Sequence, residues 1–155
     1  MDRIYGGGGN DAIYAQDANS YDYAANWLSG ENGNDWLYGG RGDDVIEGGE
    51  GNDYLYGDLG DDLLTGGAGN DQLYGAQGTD TFVYSGGRDK ILDFDGDLLH
   101  LSTSVWGDGA QMVVEVMSFA TVIGSNTLFV FDEDNRLRLD GFTDLAAIEA
   151  AITLI

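Results

Sequence analysis

Large apolar residues recur every nine positions through the middle of the chain. From Gly30 to Val83 the sequence divides into six units, GENGNDWLY, GGRGDDVIE, GGEGNDYLY, GDLGDDLLT, GGAGNDQLY and GAQGTDTFV. In every unit position 4 is glycine, position 6 is aspartate and position 8 is a large apolar residue. One unit cannot bury its apolar side chain alone, so this period predicts a solenoid in which units stack on one another.

The same phase continues on both sides of these units. Gly6 to Tyr14 is a complete unit, Tyr21 to Ser29 is a degenerate unit, and Tyr84 to Leu92 is a last one. Between the first two, residues 15–20 form a six-residue insertion, which we predict to be a corner loop. Position 8 is then occupied by Ile13, Leu28, Leu37, Ile46, Leu55, Leu64, Leu73, Phe82 and Ile91.

Side chains alternate between the two faces of a strand, so an inward position 8 leaves positions 7 and 9 outside. We therefore predict a six-residue turn and a three-residue strand in each unit, and two units in each coil of eighteen residues. The predicted fold class is all-β, with a parallel β-roll (a β-helix solenoid) over residues 1–92.

From about Leu98 the repeat gives way to short apolar runs. Strands are predicted at Met112–Met117, Thr121–Ile123, Thr127–Phe131 and Leu137–Leu139. A short helix is predicted from Asp144 to about Ala151, with Thr143 as its N-cap. We expect residues 93–155 to form a β-rich region that caps the open end of the solenoid.

Composition adds a strong electrostatic constraint. The chain has 28 acidic and 6 basic residues, a net charge of −22, 26 glycines and no cysteine. Such a chain repels itself and is not expected to bind nucleic acid or an anionic membrane surface. It also has no apolar stretch approaching the roughly 20 residues of a membrane helix. A charge this high favours disorder unless cations neutralise the acidic groups. We expect a monomer.

The turns carry the donors of a hard-cation site. Glycine at positions 1, 2 and 4 permits positive φ, so carbonyl oxygens can point at one spot that the aspartate of position 6 also reaches. Carboxylates mixed with carbonyls suit Ca²⁺ better than zinc or copper. A single aspartate often only caps a turn. Here eight keep one phase: Asp11, Asp35, Asp44, Asp53, Asp62, Asp71, Asp80 and Asp89.

The pattern G-G-x-G-x-D-x-U-x resembles the RTX (repeats-in-toxin) family over about residues 2–92. The resemblance implies a right-handed β-roll with Ca²⁺ held between successive turns on the same side. One turn would supply its aspartate and the carbonyls of positions 2 and 4. The next turn on that side would supply its aspartate and the carbonyls of positions 1 and 3.

For this sequence the resemblance implies about five or more Ca²⁺ ions. The aspartate pairs are Asp35 with Asp53, Asp44 with Asp62, Asp53 with Asp71, Asp62 with Asp80, and Asp71 with Asp89. The implied carbonyl donors are Glu31, Gly33, Gly40, Gly42, Gly48, Gly49, Glu50, Gly51, Gly57, Asp58, Leu59, Gly60, Gly66, Gly67, Ala68, Gly69, Gly75, Gln77, Tyr84 and Gly86. Asp58 and Ala76 replace glycine at position 2, which a backbone ligand tolerates if φ allows it.

Two further pairs lie near the start of the repeats. The insertion separates Asp11 from Asp35, which would form a sixth pair. Asn26 stands where the pattern has aspartate, so we expect its pairing with Asp44 to give a weak or empty site.

The C-terminal segments are similar to parts of secreted bacterial proteins. Residues 86–102, GGRDKILDFDGDLLHLS, resemble the exit from the β-roll in serralysin-type metalloproteases. Residues 137–145, LRLDGFTDL, followed by an apolar end, resemble the uncleaved signal of type I secretion substrates. The resemblance implies extracellular localisation through the type I machinery. A cap without a signal is the alternative, and both roles can coexist.

The outward positions form two unlike faces. One face carries Trp36, Tyr38, Tyr54, Tyr56, Gln72 and Tyr74, and the other carries Val45, Glu47, Leu63, Thr65, Thr81 and Val83. The aromatic face could bind a polysaccharide or a neighbouring domain. The alternative, which we favour, is that tyrosine has high β propensity and stacks on itself or on a covering segment.

Catalysis is not expected within this chain. His100 is the only histidine, and a HExxH zinc site needs two. Asp2 already stands at position 6 of a unit, so we expect a C-terminal module of a larger secreted protein whose hydrolase, protease, lyase or epimerase domain comes earlier. The predicted function is calcium-dependent folding after export. An accessory polysaccharide- or partner-binding module is the alternative.

Overall fold

The computed structural model describes residues 1–15, 23–102, 120–131 and 133–154. The predicted strand Met112–Met117 and nearly all of the predicted corner loop at 15–20 lie outside the described residues.

The described chain is built from strands with one short helix. The roll contains β1 (Arg3–Gly8), β2 (Ala12–Tyr14), β3 (Trp27–Asn32), β4 (Trp36–Arg41), β5 (Val45–Glu50), β6 (Tyr54–Leu59), β7 (Leu63–Ala68), β8 (Gln72–Gln77), β9 (Thr81–Tyr84) and β10 (Arg88–Ile91). The C-terminal region contains β11 (Leu98–Leu101), β12 (Ala120–Ile123), β13 (Asn126–Val130), β14 (Arg136–Leu139), α1 (Leu145–Ala151) and β15 (Ile152–Leu154).

From β1 to β11, successive strands alternate between two sheets. One sheet has the order β1-β3-β5-β7-β9-β11-β15, and the other has the order β12-β13-β14-β10-β8-β6-β4-β2. Within the roll the pairing is parallel, and Leu55 lies between Leu37 and Leu73 in neighbouring coils. This arrangement is a parallel β-solenoid of about four turns, which confirms the predicted fold class.

The core is a narrow stack of aliphatic side chains between the two sheets. All nine residues of position 8, from Ile13 to Ile91, are at most 7% exposed. At the C-terminal end the stack continues into Leu99, Leu101, Phe129 and Leu137. Position 8 therefore points inward in every unit, as the alternation predicts.

The strands are longer than the three residues predicted. From β3 to β8 each strand has six residues and runs from position 7 of one unit to position 3 of the next. Parallel pairing continues through the first half of the turn, where Glu31 lies opposite Gly49 and Asn32 opposite Glu50. Coils of equal length place these backbone groups in register, so only positions 4 to 6 are free to turn the chain.

The C-terminal region extends both sheets of the roll. Strand β11 pairs with β9 and with β15, while β14 pairs with β10. Strands β12 and β13 add an antiparallel hairpin beyond β14. The strands β12, β13 and β14 match the apolar runs predicted there. His100 lies half-buried in β11, in the strand conformation expected from its surroundings.

The helix α1 is capped one residue later than predicted. Asp144, rather than Thr143, is the N-cap, and its Oδ1 atom accepts hydrogen bonds from the backbone N–H groups of Ala146 and Ala147, both at 3.1 Å. The carboxylate of Asp144 reaches both of these first-turn donors because its own backbone is extended.

Among the described residues, three other than glycine adopt the left-handed conformation, and all three stand at position 2. They are Glu31, Asp58 and Ala76, with φ of 70°, 75° and 74°. Glycine holds this place in other units, for example Gly67 with φ of 104°. The condition for tolerating Asp58 and Ala76 is thus met, at a cost of roughly 1 kcal/mol or more for each side chain.

Replacing Ala76 by glycine should therefore stabilise the roll. We expect Ala76→Gly to raise the free energy of unfolding by about 1 kcal/mol, measured by urea denaturation in excess Ca²⁺. The matched control is Ala68→Gly, whose φ is outside the left-handed region and which should destabilise by about 0.5–1 kcal/mol. A loss of stability in both variants would contradict the expectation.

Candidate metal sites in the turns

The aspartates of position 6 form one ladder along each edge of the roll. In each ladder a backbone N–H donates to the side-chain Oδ1 of the equivalent residue in the next coil, as from Asp35 to Asp53 at 2.8 Å and from Asp53 to Asp71 at 2.9 Å. Ladder 1 comprises Asp11, Asp35, Asp53, Asp71 and Asp89, and ladder 2 comprises Asn26, Asp44, Asp62, Asp80 and Asp97.

The second carboxylate oxygen of most ladder residues is buried and unpaired. The seven aspartates from Asp35 to Asp89 are at most 4% exposed. Within the described part of the chain, no hydrogen-bond partner reaches the Oδ2 atoms of Asp11, Asp35, Asp44, Asp53, Asp62 and Asp71. A buried anionic oxygen without a partner is costly, so these atoms indicate a missing positive charge.

Each unpaired Oδ2 faces a space that glycine leaves open at position 1. A Cβ on Gly39 would lie 2.6 Å from Asp44 Oδ2 and 3.0 Å from the carbonyl oxygen of Gly57 in the next coil. Any side chain at position 1 would fill this space. The carboxylate and the position 1 carbonyl of the next coil therefore converge, as the implied ligand set requires.

The first pair of ladder 1 has the same geometry despite the insertion. A Cβ on Gly6 would lie 2.8 Å from Asp11 Oδ2 and 2.8 Å from the carbonyl oxygen of Gly30. The backbone N–H of Asp11 also donates to Asp35 Oδ1 at 2.8 Å. The additional residues between these turns leave the pairing of Asp11 with Asp35 intact.

The other implied carbonyl donors divide into two groups. The carbonyls of positions 2 and 4 face the next coil: a Cβ on Gly49 would collide with the carbonyl of Glu31, and one on Gly51 with that of Gly33. The carbonyls of position 3 already accept one backbone hydrogen bond each, from Gly33, Gly42, Gly51 and Gly60 of the preceding coil. These acceptors are Glu50, Leu59, Ala68 and Gln77. Only their second lone pair remains for a cation.

The last turn of ladder 1 differs from the others. Position 1 is Tyr84, whose carbonyl accepts a hydrogen bond from the backbone N–H of Ser102 at 2.9 Å. The buried Tyr84 side chain donates its hydroxyl to the carbonyl of Gly87 at 2.9 Å. Asp89 still accepts from the backbone of Asp71 at 3.0 Å, so the aspartate ladder reaches the end of the roll.

Sequence reasoning missed the residue that ends ladder 2. Asp97 is 4% exposed, and its Oδ1 accepts from the backbone N–H of Asp80 at 3.0 Å. Asp93 accepts from the backbone N–H groups of Gly75 and Ala76 at 3.1 and 2.7 Å. The Asp80–Asp97 spacing is seventeen rather than eighteen residues, which takes Asp97 out of the repeat phase.

Burial raises the pKa of the ladder carboxyls. In the cation-free chain the pKa is about 6 for Asp44, Asp71 and Asp80, about 7 for Asp62 and about 8 for Asp89. Desolvation is the main cause, and neighbouring carboxylates add to it, while the backbone N–H donors lower each pKa. A divalent cation beside these groups would act in the opposite direction and favour the charged form.

The available donors fit Ca²⁺. Among the described residues, no three Asp, Glu, His or Cys side chains come together as a metal-binding group. A cation in these turns would thus be held by two carboxylates together with backbone carbonyls, which is a ligand set typical of Ca²⁺.

The raised pKa values predict how pH acts in the absence of cations. The folded chain binds protons with pKa about 6 at Asp71 and about 7 at Asp62, both above the unfolded value of about 4. Proton binding to these carboxyls then stabilises the folded chain fully below pH about 4, and this stabilisation is lost as pH rises through 6 to 7. In EDTA, far-UV circular dichroism should show more ordered structure at pH about 5 than at pH about 8. More order at the higher pH would contradict this assignment.

Comparison with known proteins places this geometry in a family. A profile of the RTX calcium-binding nonapeptide repeat matches four times, at residues 2–21, 22–55, 29–64 and 56–91. No curated protein sequence matches the chain.

The solved structures that share the fold include two bacterial proteins. The solution structure of the AlgE6R2 subunit from the Azotobacter vinelandii mannuronan C5-epimerase is similar with a TM-score of 0.55 and 23% identity, over 99% of this chain and 92% of that one. The crystal structure of the extracellular lipase LipA from Serratia marcescens is similar with a TM-score of 0.51 and 15% identity, over 95% of this chain and 38% of the lipase. Since the matched repeats span more than half of the residues, the chain belongs to the RTX calcium-binding nonapeptide repeat family.

Proposed function

We propose that this chain is a calcium-binding, non-catalytic module whose β-roll folds when Ca²⁺ binds. The observation that carries the proposal is the buried, unpaired Oδ2 atom that recurs in six turns. Each of these atoms faces a position 1 glycine, and all except Asp71 Oδ2 also face a carbonyl of the next coil, as at Gly39 and Gly57. Bound Ca²⁺ would supply the positive charge that these oxygens lack.

Folding and cation binding should be coupled through charge. The net charge of −22 opposes a compact state, and the ladders concentrate carboxylates in buried turns. The unfolded chain has no preformed site, so the binding free energy of Ca²⁺ becomes folding free energy. A ligand that binds only the folded state stabilises it in proportion to the logarithm of its concentration. The roll therefore orders above a threshold of free Ca²⁺.

This coupling suits a protein that folds outside the cell. We propose a secreted bacterial protein, exported through the type I machinery with its C-terminal region as the signal. RTX repeats occur in secreted bacterial proteins, which supports this location. Among the described residues, no helix is long and apolar enough to cross a membrane. The catalytic or adhesive domain would belong to the larger protein of which this module is one part.

The aromatic face is a weaker basis for function. Trp36 stacks on Tyr54 with ring centroids 4.4 Å apart, and Tyr38 lies between Tyr14 at 4.6 Å and Tyr56 at 4.8 Å. The ring faces that a sugar would stack on are largely occupied by neighbouring rings. This arrangement favours self-stacking over a polysaccharide platform, and polysaccharide binding stays a prediction.

The calcium dependence is tested by circular dichroism in EDTA followed by titration with Ca²⁺. We expect little ordered structure in EDTA at neutral pH and a cooperative gain of β signal on addition of Ca²⁺. Asp53→Asn should raise the Ca²⁺ midpoint on the order of tenfold per site lost, about 1.4 kcal/mol. Asp11→Asn should have a smaller effect, because Asp11 belongs to one pair and Asp53 to two.

The control for this series is Glu149→Gln, which removes one negative charge from an exposed residue of α1. Its midpoint should stay at the wild-type value. An identical folded spectrum for the wild-type chain in EDTA and in Ca²⁺ would contradict the proposed function.

Position 5 differs between the two edges of the roll. Along ladder 1 it is asparagine in every unit before the last, which has Arg88, and Asn52 N–H donates to Asn34 Oδ1 at 2.7 Å. Along ladder 2 it is aspartate in two units, where Asp61 N–H donates to Asp43 Oδ1 at 3.0 Å and Asp61 Oδ1 accepts from the backbone N–H of Thr79 at 2.7 Å. Both residue types provide the same acceptor. The asparagines also donate from the side-chain amide, as Asn52 Nδ2 does to Asn34 Oδ1 at 3.1 Å, whereas the aspartates add negative charge beside ladder 2.

Removing that charge should weaken Ca²⁺ binding without breaking the backbone contact. At about 7 Å in water, one charge contributes roughly 1 kcal/mol to the binding of a divalent cation. We expect Asp61→Asn to lower the affinity of the nearest site about fivefold at low ionic strength, and about 1 M salt should abolish the effect. The matched control, Asn34→Asp, keeps the Oδ1 acceptor, adds one negative charge beside ladder 1 and should strengthen binding. Isothermal titration calorimetry in both salts checks this, and an effect that salt leaves unchanged would contradict it.

A further inference from the structure

Asn26 keeps the hydrogen bonds of the aspartate that it replaces in ladder 2. Its backbone N–H donates to Asp44 Oδ1 at 2.7 Å, as the backbone N–H groups of Asp44 and Asp62 do to the next residues of ladder 2. Its own Oδ1 accepts from the backbone N–H of Asp2 at 3.1 Å. The side chain is 7% exposed, so it is as enclosed as the carboxylates that follow it. The loss of aspartate therefore does not interrupt the ladder.

The Asn26 turn differs from the aspartate turns at the second polar side-chain atom, Nδ2. Its Nδ2 donates to the carbonyl oxygen of Ala24 at 2.9 Å. In the aspartate turns the corresponding atom is Oδ2, which is buried and unpaired in six cases within the described part of the chain. Asn26 has no such atom. An amide N–H₂ group thus stands where the other turns have an anionic oxygen that lacks a positive partner.

The carbonyl of Ala24, which accepts this hydrogen bond, occupies a position whose carbonyl is an implied calcium ligand in the other turns. Ala24 is position 4 of its turn, and its carbonyl faces the next coil, since a Cβ on Gly42 would lie 2.8 Å from it. The position 4 carbonyl of Gly33 faces Gly51 in the same way. In the Asn26 turn, the partly positive N–H₂ group satisfies this oxygen instead of a cation.

We propose that Asn26 is a built-in substitute for a calcium ion, so that the contact between its turn and the turn of Asp44 closes without a cation. This inference rests on the proposed function for the other turns of the roll. Ladder 2 would then bind one ion fewer than it would with aspartate at residue 26. Asn26 also gives ladder 2 a first contact whose formation is independent of Ca²⁺.

The experiment counts bound ions by native mass spectrometry at saturating Ca²⁺, with calorimetric stoichiometry as a second measurement. Asn26→Asp restores an oxygen in place of Nδ2 and should bind one ion more than the wild-type chain. The charge-matched control is Asn34→Asp, an exposed position 5 residue whose Oδ1 acceptor is retained, and its count should equal that of the wild type. An unchanged count in Asn26→Asp would overturn the inference.

The reverse substitution keeps the inference testable if Asn26→Asp does not fold. Asp44→Asn reproduces the Asn26 arrangement one coil later and should lose one ion while retaining the β signal in saturating Ca²⁺. Failure of Asp44→Asn to fold there would show that an amide cannot close this contact, and would overturn the inference. A wild-type chain that binds no Ca²⁺ would instead contradict the proposed function, so the two failures are distinguishable.

Discussion

The structure depends on one costly arrangement, a carboxylate oxygen buried without a hydrogen-bond partner in successive coils. From the second coil onward, the Oδ1 atom of each ladder aspartate accepts a hydrogen bond from the backbone of the preceding coil, as between Asp35 and Asp53. In six of the described ladder aspartates, the Oδ2 atom has no such partner. Burial without a partner disfavours the charged form. The same groups that align the coils therefore oppose the fold until a positive charge reaches them.

The other features of the repeat follow from this arrangement. Position 1 is glycine where a side chain would fill the space between Oδ2 and the next carbonyl, as at Gly39. Position 2 adopts positive φ even where it is Ala76. The core contributes one large apolar residue per unit, a thin interior for a solenoid of two sheets. With so little apolar surface in each coil, the turns determine whether the coils remain stacked.

Much of the roll and of its aspartate ladders was predictable, because the same residue types recur at the same positions in every unit. The inward face of position 8 and the stacking of position 6 follow from period and alternation alone. The sequence did not reveal that pairing continues into the turn, since that depends on backbone register between coils. The place of Asp97 at the end of ladder 2 was not predictable either, because Asp97 follows Asp80 by seventeen residues instead of eighteen. The N-cap at Asp144 depended on a local backbone angle that residue type does not fix.

The C-terminal region determines when the last strands of the roll can be paired on both edges. The strands β9 and β10 each have one edge that is covered by later segments, β11 and β14, and β11 is covered in turn by β15. A ribosome makes β15 after every repeat. The outer edge of β11 therefore stays unpaired until β15 has been made, so the repeats alone cannot finish this end of the roll.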